Sequence, residues 1–244
     1  MSIKGIMRKY KKISIVIPVY NEEKYFEKNL RRVLKANTIG LEKEIIIVDD
    51  YSTDNTRRII KKIKLSKNIQ YYFKDKNEGK GAAIKLGIRK SSGDILLIQD
   101  SDLEYNPKDY PSLIKPILEG KTDVVYGSRT LGISKFGNKY SSFFYYIGGR
   151  LLTLFMNVLY GISLTDQPTG YKVFTKNVLP LLVNSSRYND FSYEIEVTAK
   201  LAKNKISIFE VPISYNPRSV KEGKKINIMD FVKSIFVGFK YKFN

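Results

Sequence analysis

Ile95-Leu96-Leu97-Ile98-Gln99-Asp100-Ser101-Asp102 is an apolar run of strand length that stops abruptly at two aspartates flanking a serine. Residues two apart at a strand end point to the same side, so Asp100 and Asp102 can converge on one point. Unpaired buried charge is costly, and such a pair calls for a partner. A hard divalent cation that keeps some waters and also binds substrate phosphates fits it. A solvated acidic loop is the plainer alternative.

The same construction recurs upstream. Ile13 to Val19 is a β-branched run that reads as a buried strand, and Asn21-Glu22-Glu23 then opens a helix to about Ala36. Glu44 to Val48 is a second apolar strand, ended by Asp49-Asp50; Ser52-Thr53-Asp54-Asn55 caps a helix to about Leu65. Ile69 to Phe73, a helix over Gly79 to Arg89, and the strand Ile95 to Ile98 follow. Such alternation predicts an α/β fold with a mostly parallel sheet flanked by helices, whose ligands bind beyond the carboxyl ends of the strands. One crevice then collects Asp49, Asp50, Asp100 and Asp102.

Downstream, the pattern predicts a helix over Pro107 to Leu118, a strand at Val124 to Tyr126 leading to Gly127-Ser128-Arg129, and a very apolar helix from Leu151 to Tyr160. A short strand at Val173 to Phe174, a helix over Tyr193 to Lys203, a strand at Ile208 to Val211 and a terminal helix from Met229 to Tyr241 complete it. No repeat or linker divides the chain, so residues 1–244 are expected to form one domain. Its sections are the half with the alternating strands and acidic strand ends (about 12–130), a second half (about 131–226) and an amphipathic tail (227–244).

Composition narrows the chemistry. Cysteine and histidine are both absent, which excludes disulfides, thiolate zinc sites, Ser-His-Asp triads and histidine relays. Any metal is held by oxygen, and any acid or base is Asp, Glu, Lys or Tyr. Lys plus Arg number 43 against 24 Asp plus Glu, a formal charge of +19 that points to phosphorylated substrates, anionic lipid or nucleic acid. The basic stretch Met1 to Lys12 lacks the apolar core of a signal peptide. Tyr140 to Ile162 is the nearest approach to a membrane span and is interrupted by Gly148, Gly149 and Arg150.

Ile17-Pro18-Val19-Tyr20-Asn21-Glu22-Glu23, the Ile47-to-Asp54 block, Asn77-Glu78-Gly79-Lys80-Gly81, Gln99-Asp100-Ser101-Asp102 and Gly127-Ser128-Arg129 come in an order that resembles the family 2 glycosyltransferases of GT-A fold. Thr165 to Lys172, Tyr193 to Val197, Val211 to Tyr215 and Pro217 to Ile226 are similar to the polyprenyl-phosphate hexose synthases, the dolichol-phosphate mannose synthase-like group. The resemblance runs from about Lys12 to Phe236. Tyr51 stands where the family usually has glycine, and its bulk is expected to reshape the edge of the nucleotide pocket; Ser101 stands where alanine is frequent.

The resemblance implies displacement at the anomeric carbon of a nucleotide-diphosphate sugar, with inversion. The diphosphate leaving group needs its charge neutralised, and Mg2+ or Mn2+ does this as a Lewis acid. Asp100 falls by the sugar nucleotide, Asp102 on the metal, and Glu104 is a further candidate ligand, with a solvated loop carboxylate as its alternative. Pro18, Tyr20, Glu22, Val48 and Asp50 match the nucleoside pocket, and Ser101 lies between the acids. Lys80, in a Gly-rich loop before a helix, is a candidate phosphate contact. Arg129 and Arg218 match phosphate-binding positions, and Lys224 matches the second basic position of the late loop. Lys139 and Arg150 add positive charge around the same crevice.

A hydroxyl acceptor needs a general base; a polyprenyl phosphate arrives already anionic and needs cations instead. Asp166 is either such a base or an orienting group. Glu194 and Glu196, two apart on a helix, do not share a face, so one of them is expected at the crevice. The expected partners are therefore a UDP-glucose or GDP-mannose donor, with other UDP sugars behind them, and a polyprenyl phosphate acceptor. Aromatic residues of Ser141 to Tyr160 and the basic amphipathic tail predict peripheral attachment to the cytosolic membrane face. The alternatives are a family 2 transferase acting on a sugar hydroxyl, which needs Asp166 or Glu194 as base, and, more remotely, a nucleic-acid binding module.

Overall fold

The computed structural model describes residues 10–64, 67–184, 186–218 and 228–243. Its strands are β1 (Lys12–Val19), β2 (Glu42–Asp49), β3 (Ile69–Phe73), β4 (Ile95–Ile98), β5 (Val124–Ser128), β6 (Lys172–Thr175) and β7 (Phe209–Pro212). The helices are α1 (Phe26–Lys35), α2 (Thr56–Lys61), α3 (Lys80–Lys90), α4 (Tyr110–Leu118), α5 (Gly132–Phe136), α6 (Phe143–Tyr160), α7 (Leu179–Val183), α8 (Ser192–Lys203) and α9 (Ile228–Phe243). The strands form a seven-stranded sheet in the order β3-β2-β1-β4-β6-β5-β7. Strands β3, β2, β1 and β4 are parallel, β6 runs antiparallel to both its neighbours, and β7 is parallel to β5.

Alternating side chains explain the layers. Ile13, Ile15 and Ile17 of β1 pack with Phe26, Leu30 and Val33 of α1 and with Leu113, Ile114 and Ile117 of α4. Val16 joins the opposite layer, with Ile46, Val48, Leu96 and Ile98 against Ala83, Ile84 and Ile88 of α3 and Tyr193 and Val197 of α8. A side chain at Gly87 would run into Val16, so glycine is what lets α3 lie directly on β1. A third cluster joins α6, α8 and α9 through Leu152, Met156, Ile195, Ala199 and Val237.

The chain runs outward from β1 to β2 and β3, then returns to lay β4 on the other flank of β1. This reversal makes a topological switch point, where open α/β sheets form their crevice. Val16 pairs with Ile98 and Pro18 with Val48, so the segments after β1, β2 and β4 emerge at one end of the sheet.

Several boundaries differ from the sequence reading. Asn21-Glu22-Glu23 does not open α1, which begins at Phe26. Asn21 has φ of 50°, its side-chain oxygen accepts from Thr53 N, and Glu22 N and Glu23 N donate to Thr56 Oγ1 and Asp54 Oδ2. These residues tie the end of β1 to the turn after β2, and that long-range bonding prevails over local capping. The α2 helix stops at Lys61, short of Leu65. The α6 helix begins at Phe143, well before Leu151, with Ser142 Oγ accepting from Tyr145 N; Gly148 and Gly149 lie inside it. Helices α5 and α7 are short and carried no signal of their own.

Candidate active site

One side of the crevice is built where β1 and β2 end. Pro18 and Val48 are buried partners across the two strands, and Tyr20 is half-buried just beyond. Asp49 Oδ2 accepts from Arg57 Nε at 2.8 Å and from Ser52 N at 3.1 Å. Asp50 is buried, with Oδ1 accepting from Lys74 Nζ (2.6 Å) and Glu78 N (3.1 Å) and Oδ2 from Gly79 N (2.7 Å). Asp50 thus holds the Gly-rich loop against β2. Tyr51 adopts φ of 66°, the left-handed region that favours glycine. Its ring lies 5.2 Å from the Arg57 guanidinium carbon and is 42% exposed.

The acidic pair after β4 carries two cations. Lys80 Nζ, at the start of α3, lies 2.8 Å from Asp100 Oδ1 and 3.2 Å from Glu194 Oε1 on α8. Lys172, buried on β6, contacts Glu194 Oε2 and the Thr169 carbonyl and lies 4.8 Å from the Tyr126 ring centre. A side chain at Gly170 would collide with Asp100 Oδ2, so the glycine of Pro168-Thr169-Gly170 makes room for that carboxylate. Asp100, Lys80, Glu194 and Lys172 compensate one another. Glu194 therefore faces the crevice, whereas Glu196 is turned to Arg187 N, Tyr188 N and the Tyr241 hydroxyl.

Beside them, Arg218 Nη2 lies 2.9 Å from Asp102 Oδ2 and Nη1 lies 3.0 Å from Glu22 Oε2. Glu104 Oε1 accepts from Arg218 N (2.7 Å) and Oε2 from the Tyr215 hydroxyl (2.9 Å). Three carboxylates thus share one guanidinium. Burial, and then the negative charges of Asp100 and Glu104, push Asp102 up to about 7 against the pull of Arg218. Buried Arg218 Nε makes no hydrogen bond among the described residues. Glu22, Asp102 and Glu104 bring oxygen donors together around Arg218. That donor set fits a divalent cation. Asp100, Asp102 and Glu104 do not form a cage: among the described residues no group of three or more acidic side chains is arranged to hold a metal by itself. An ion here needs oxygens from substrate or water. Ser101 is buried between the two aspartates.

Across the crevice, Arg129 follows β5 and is bound to Asp166. Its N and Nε each donate to Asp166 Oδ2 at 2.8 Å and Nη2 to Oδ1 at 2.7 Å, with Pro168 O also accepting from Nη2. The guanidinium carbon lies 5.2 Å from the Tyr215 ring centre. Tyr215 therefore spans the site, its ring beside Arg129 and its hydroxyl on Glu104. Arg150 reaches Thr165 O through Nη1 at 3.0 Å, and Lys139 is exposed. Lys224 lies outside the described residues.

Sequence reading passed over Lys172, Glu210 and the bridging role of Tyr215. A lysine in the apolar strand Lys172–Thr175 and a glutamate in Phe209–Pro212 are signals of the same kind as Asp100, since charge inside a strand needs a partner.

A mostly parallel sheet with a switch-point crevice, an acidic strand end and basic residues facing it is the architecture of a nucleotide-sugar transferase of GT-A type. Solved structures share the fold: glucosyl-3-phosphoglycerate synthase from Mycobacterium tuberculosis with UDP has a TM-score of 0.73 at 20% identity, covering 99% of this chain and 84% of that one. The same enzyme with Mn2+, UDP and glucosyl-3-phosphoglycerate has a TM-score of 0.68 over the same shares. Residues 14–180 match the model of glycosyl transferase family 2, and the chain belongs to that family. It is also similar to the UDP-N-acetylglucosamine–dolichyl-phosphate N-acetylglucosaminyltransferase of Methanococcus voltae, with 30% identity over 236 residues, 89% of this chain and 92% of the relative.

Proposed function

We propose that this glycosyltransferase moves a sugar from a nucleotide diphosphate to a polyprenyl phosphate. One observation carries the reading: Asp166 and Glu194, the candidate bases for a hydroxyl acceptor, are each held by cations. Asp166 accepts from Arg129 through both oxygens, and Glu194 is clamped between Lys80 and Lys172. Burial alone raises the Glu194 pKa, but Lys172 and Lys80 outweigh it and hold the group below the usual carboxylate range. Neither acid is placed to take a proton. An acceptor that arrives deprotonated needs no base, and it needs the cationic side that Arg129, Arg150 and Arg218 supply. The same ion pairs speak against the hydroxyl-acceptor alternative.

In this reading Pro18, Tyr20, Val48 and Asp50 line the nucleoside pocket. Asp102, with Glu22 and Glu104 near it, would hold a divalent cation, which would supply Lewis-acid neutralisation of the leaving diphosphate. Lys80 holds Asp100 in place beside the sugar. Arg129 and Arg218 hold the acceptor phosphate so that its oxygen meets the anomeric carbon from the side opposite the diphosphate. A phosphate oxygen–carbon bond forms, the carbon–diphosphate bond breaks, and the nucleotide leaves with the electron pair; no proton moves.

The donor screen includes UDP-N-acetylglucosamine, the donor in the name of the Methanococcus voltae relative, beside UDP-glucose and GDP-mannose. Membrane attachment is part of the proposal. Phe143, Phe144, Leu151, Leu154 and Val158 of α6 and Met229, Val232, Phe236 and Phe239 of α9 are exposed, and the two helices pack through Phe155 and Phe239. No helix of the described residues is long and apolar enough to cross a membrane. The test is incubation of each donor with farnesyl phosphate or farnesol, with and without EDTA. Product from the phosphate alone, lost in EDTA, is expected. Product from farnesol, or undiminished turnover in EDTA, refutes the reading.

A further inference from the structure

Glu210 stands in β7 with no lysine or arginine paired to it among the described residues, although its surroundings are half-buried. Its carboxylate is instead spent on two successive backbone amides. Thr165 N donates to Oε2 at 2.6 Å and Asp166 N to Oε1 at 3.0 Å. Burial raises the Glu210 pKa, so holding this charge here has a cost that the two amides and the Thr165 hydroxyl only partly offset. The peptide between Thr165 and Asp166 is gripped at both ends, its N–H by Glu210 and its C=O by Arg150 Nη1 at 3.0 Å. The Thr165 hydroxyl is further tied to Ser128 Oγ at 2.6 Å. A peptide plane fixed on both edges fixes the Cα that follows it, and with it the Asp166 carboxylate. Asp166 in turn sets the Arg129 guanidinium through Nε and Nη2. Among the described residues Nη1 is the guanidinium nitrogen without a hydrogen bond, and its direction follows from the other two in a planar fork.

We propose that Glu210 is a positioning residue that, by clamping the Thr165–Asp166 peptide, aims the free edge of Arg129 at the acceptor's phosphate. It touches neither substrate. The inference rests on the reading that Arg129 holds that phosphate. A relay of this kind resembles the outer partners that orient metal ligands, whose loss commonly weakens binding tenfold or more while leaving the fold in place.

The test is Glu210→Gln, which keeps size and shape but offers one acceptor oxygen for two amides. Steady-state kinetics with farnesyl phosphate should show the acceptor KM rising about tenfold. The donor KM, and the UDP affinity measured by calorimetry, should change less than about twofold, because the nucleoside side is not part of the relay. Glu210→Asp, which keeps the charge, should recover part of the loss and serves if the glutamine variant folds poorly. Glu210→Gln and Asp166→Asn together should cost little more than the worse of the two, since they break one chain. An unchanged acceptor KM, or donor and acceptor KM rising together, overturns the proposal. Arg129→Lys separates the two levels. If it leaves the acceptor KM unchanged, the phosphate reading itself fails; if it raises that KM while Glu210→Gln does not, the relay alone fails.

Discussion

The sharpest residue is Asp102. It shares Arg218 with Glu22 and Glu104, which gathers three carboxylates around one guanidinium. Asp102→Asn removes one of those charges while keeping the shape. Turnover should fall by about a thousandfold, several kcal/mol of lost charge neutralisation at the leaving group. Thermal stability without divalent cation at pH 8 should hold or rise, because like-charge repulsion is relieved. Undiminished turnover, or a fold lost at room temperature, contradicts the assigned role. That the end of β4 needs charge partners was legible because an apolar strand cannot end in paired acids without cause. Lys80 on Asp100 was not, because that contact spans the return from α3 to β4 and leaves no periodic trace. Tyr51 was legible as a departure, but not its outcome: the left-handed backbone and the turn of its ring onto Arg57 depend on an α2 side chain and on Asp49.

At the scale of elements, β1 to β4 and α3 were readable from β-branched runs and from turn residues between them. β6 and β7 are four residues each, and the antiparallel insertion of β6 between β4 and β5 is a pairing that no local pattern encodes. The early start of α6 was hidden by its two glycines, which the packing of Leu152 and Met156 against α8 and α9 overrides. The docking of α9 depends on Glu196, fully buried on α8. Burial works against its ionisation, but the Tyr241 hydroxyl, Arg187 N, Ser186 and the charge of Lys200 outweigh it and hold its pKa below the usual value. A depressed carboxylate stabilises the folded state above its unfolded pKa of about 4.3 and loses that contribution as pH falls through the lower folded value. Amide hydrogen exchange across 228–243 should therefore accelerate below about pH 4 while the β1–β2 amides stay protected. Tyr241→Phe should weaken the same docking by about 1.5–3 kcal/mol, the worth of a hydrogen bond to a charged group. Protection of the tail that is indifferent to both changes contradicts this account.

For the whole molecule, a charge of +19 coexists with a crevice that is locally acidic, and in the proposed function the two properties serve different partners. Lysines spread over the surface favour an anionic bilayer, and the exposed faces of α6 and α9 offer apolar area to enter it. The protein should float with vesicles containing anionic phospholipid and be released progressively as salt shortens the Debye length from about 10 Å at 0.1 M to about 3 Å at 1 M. Phe144→Ser with Phe236→Ser should weaken partitioning by about tenfold, since each ring loses part of a 1.5–3 kcal/mol burial term. Binding that neither salt nor these substitutions alter would place the attachment elsewhere. The central claim concerns the atom that receives the sugar. A donor labelled with 13C at the anomeric carbon, turned over with farnesyl phosphate, gives the most direct reading by NMR of the purified product. The account predicts an anomeric carbon split by coupling to phosphorus through a single bridging oxygen, with inverted configuration. An anomeric carbon without phosphorus coupling, attached to an alcohol oxygen, would contradict it.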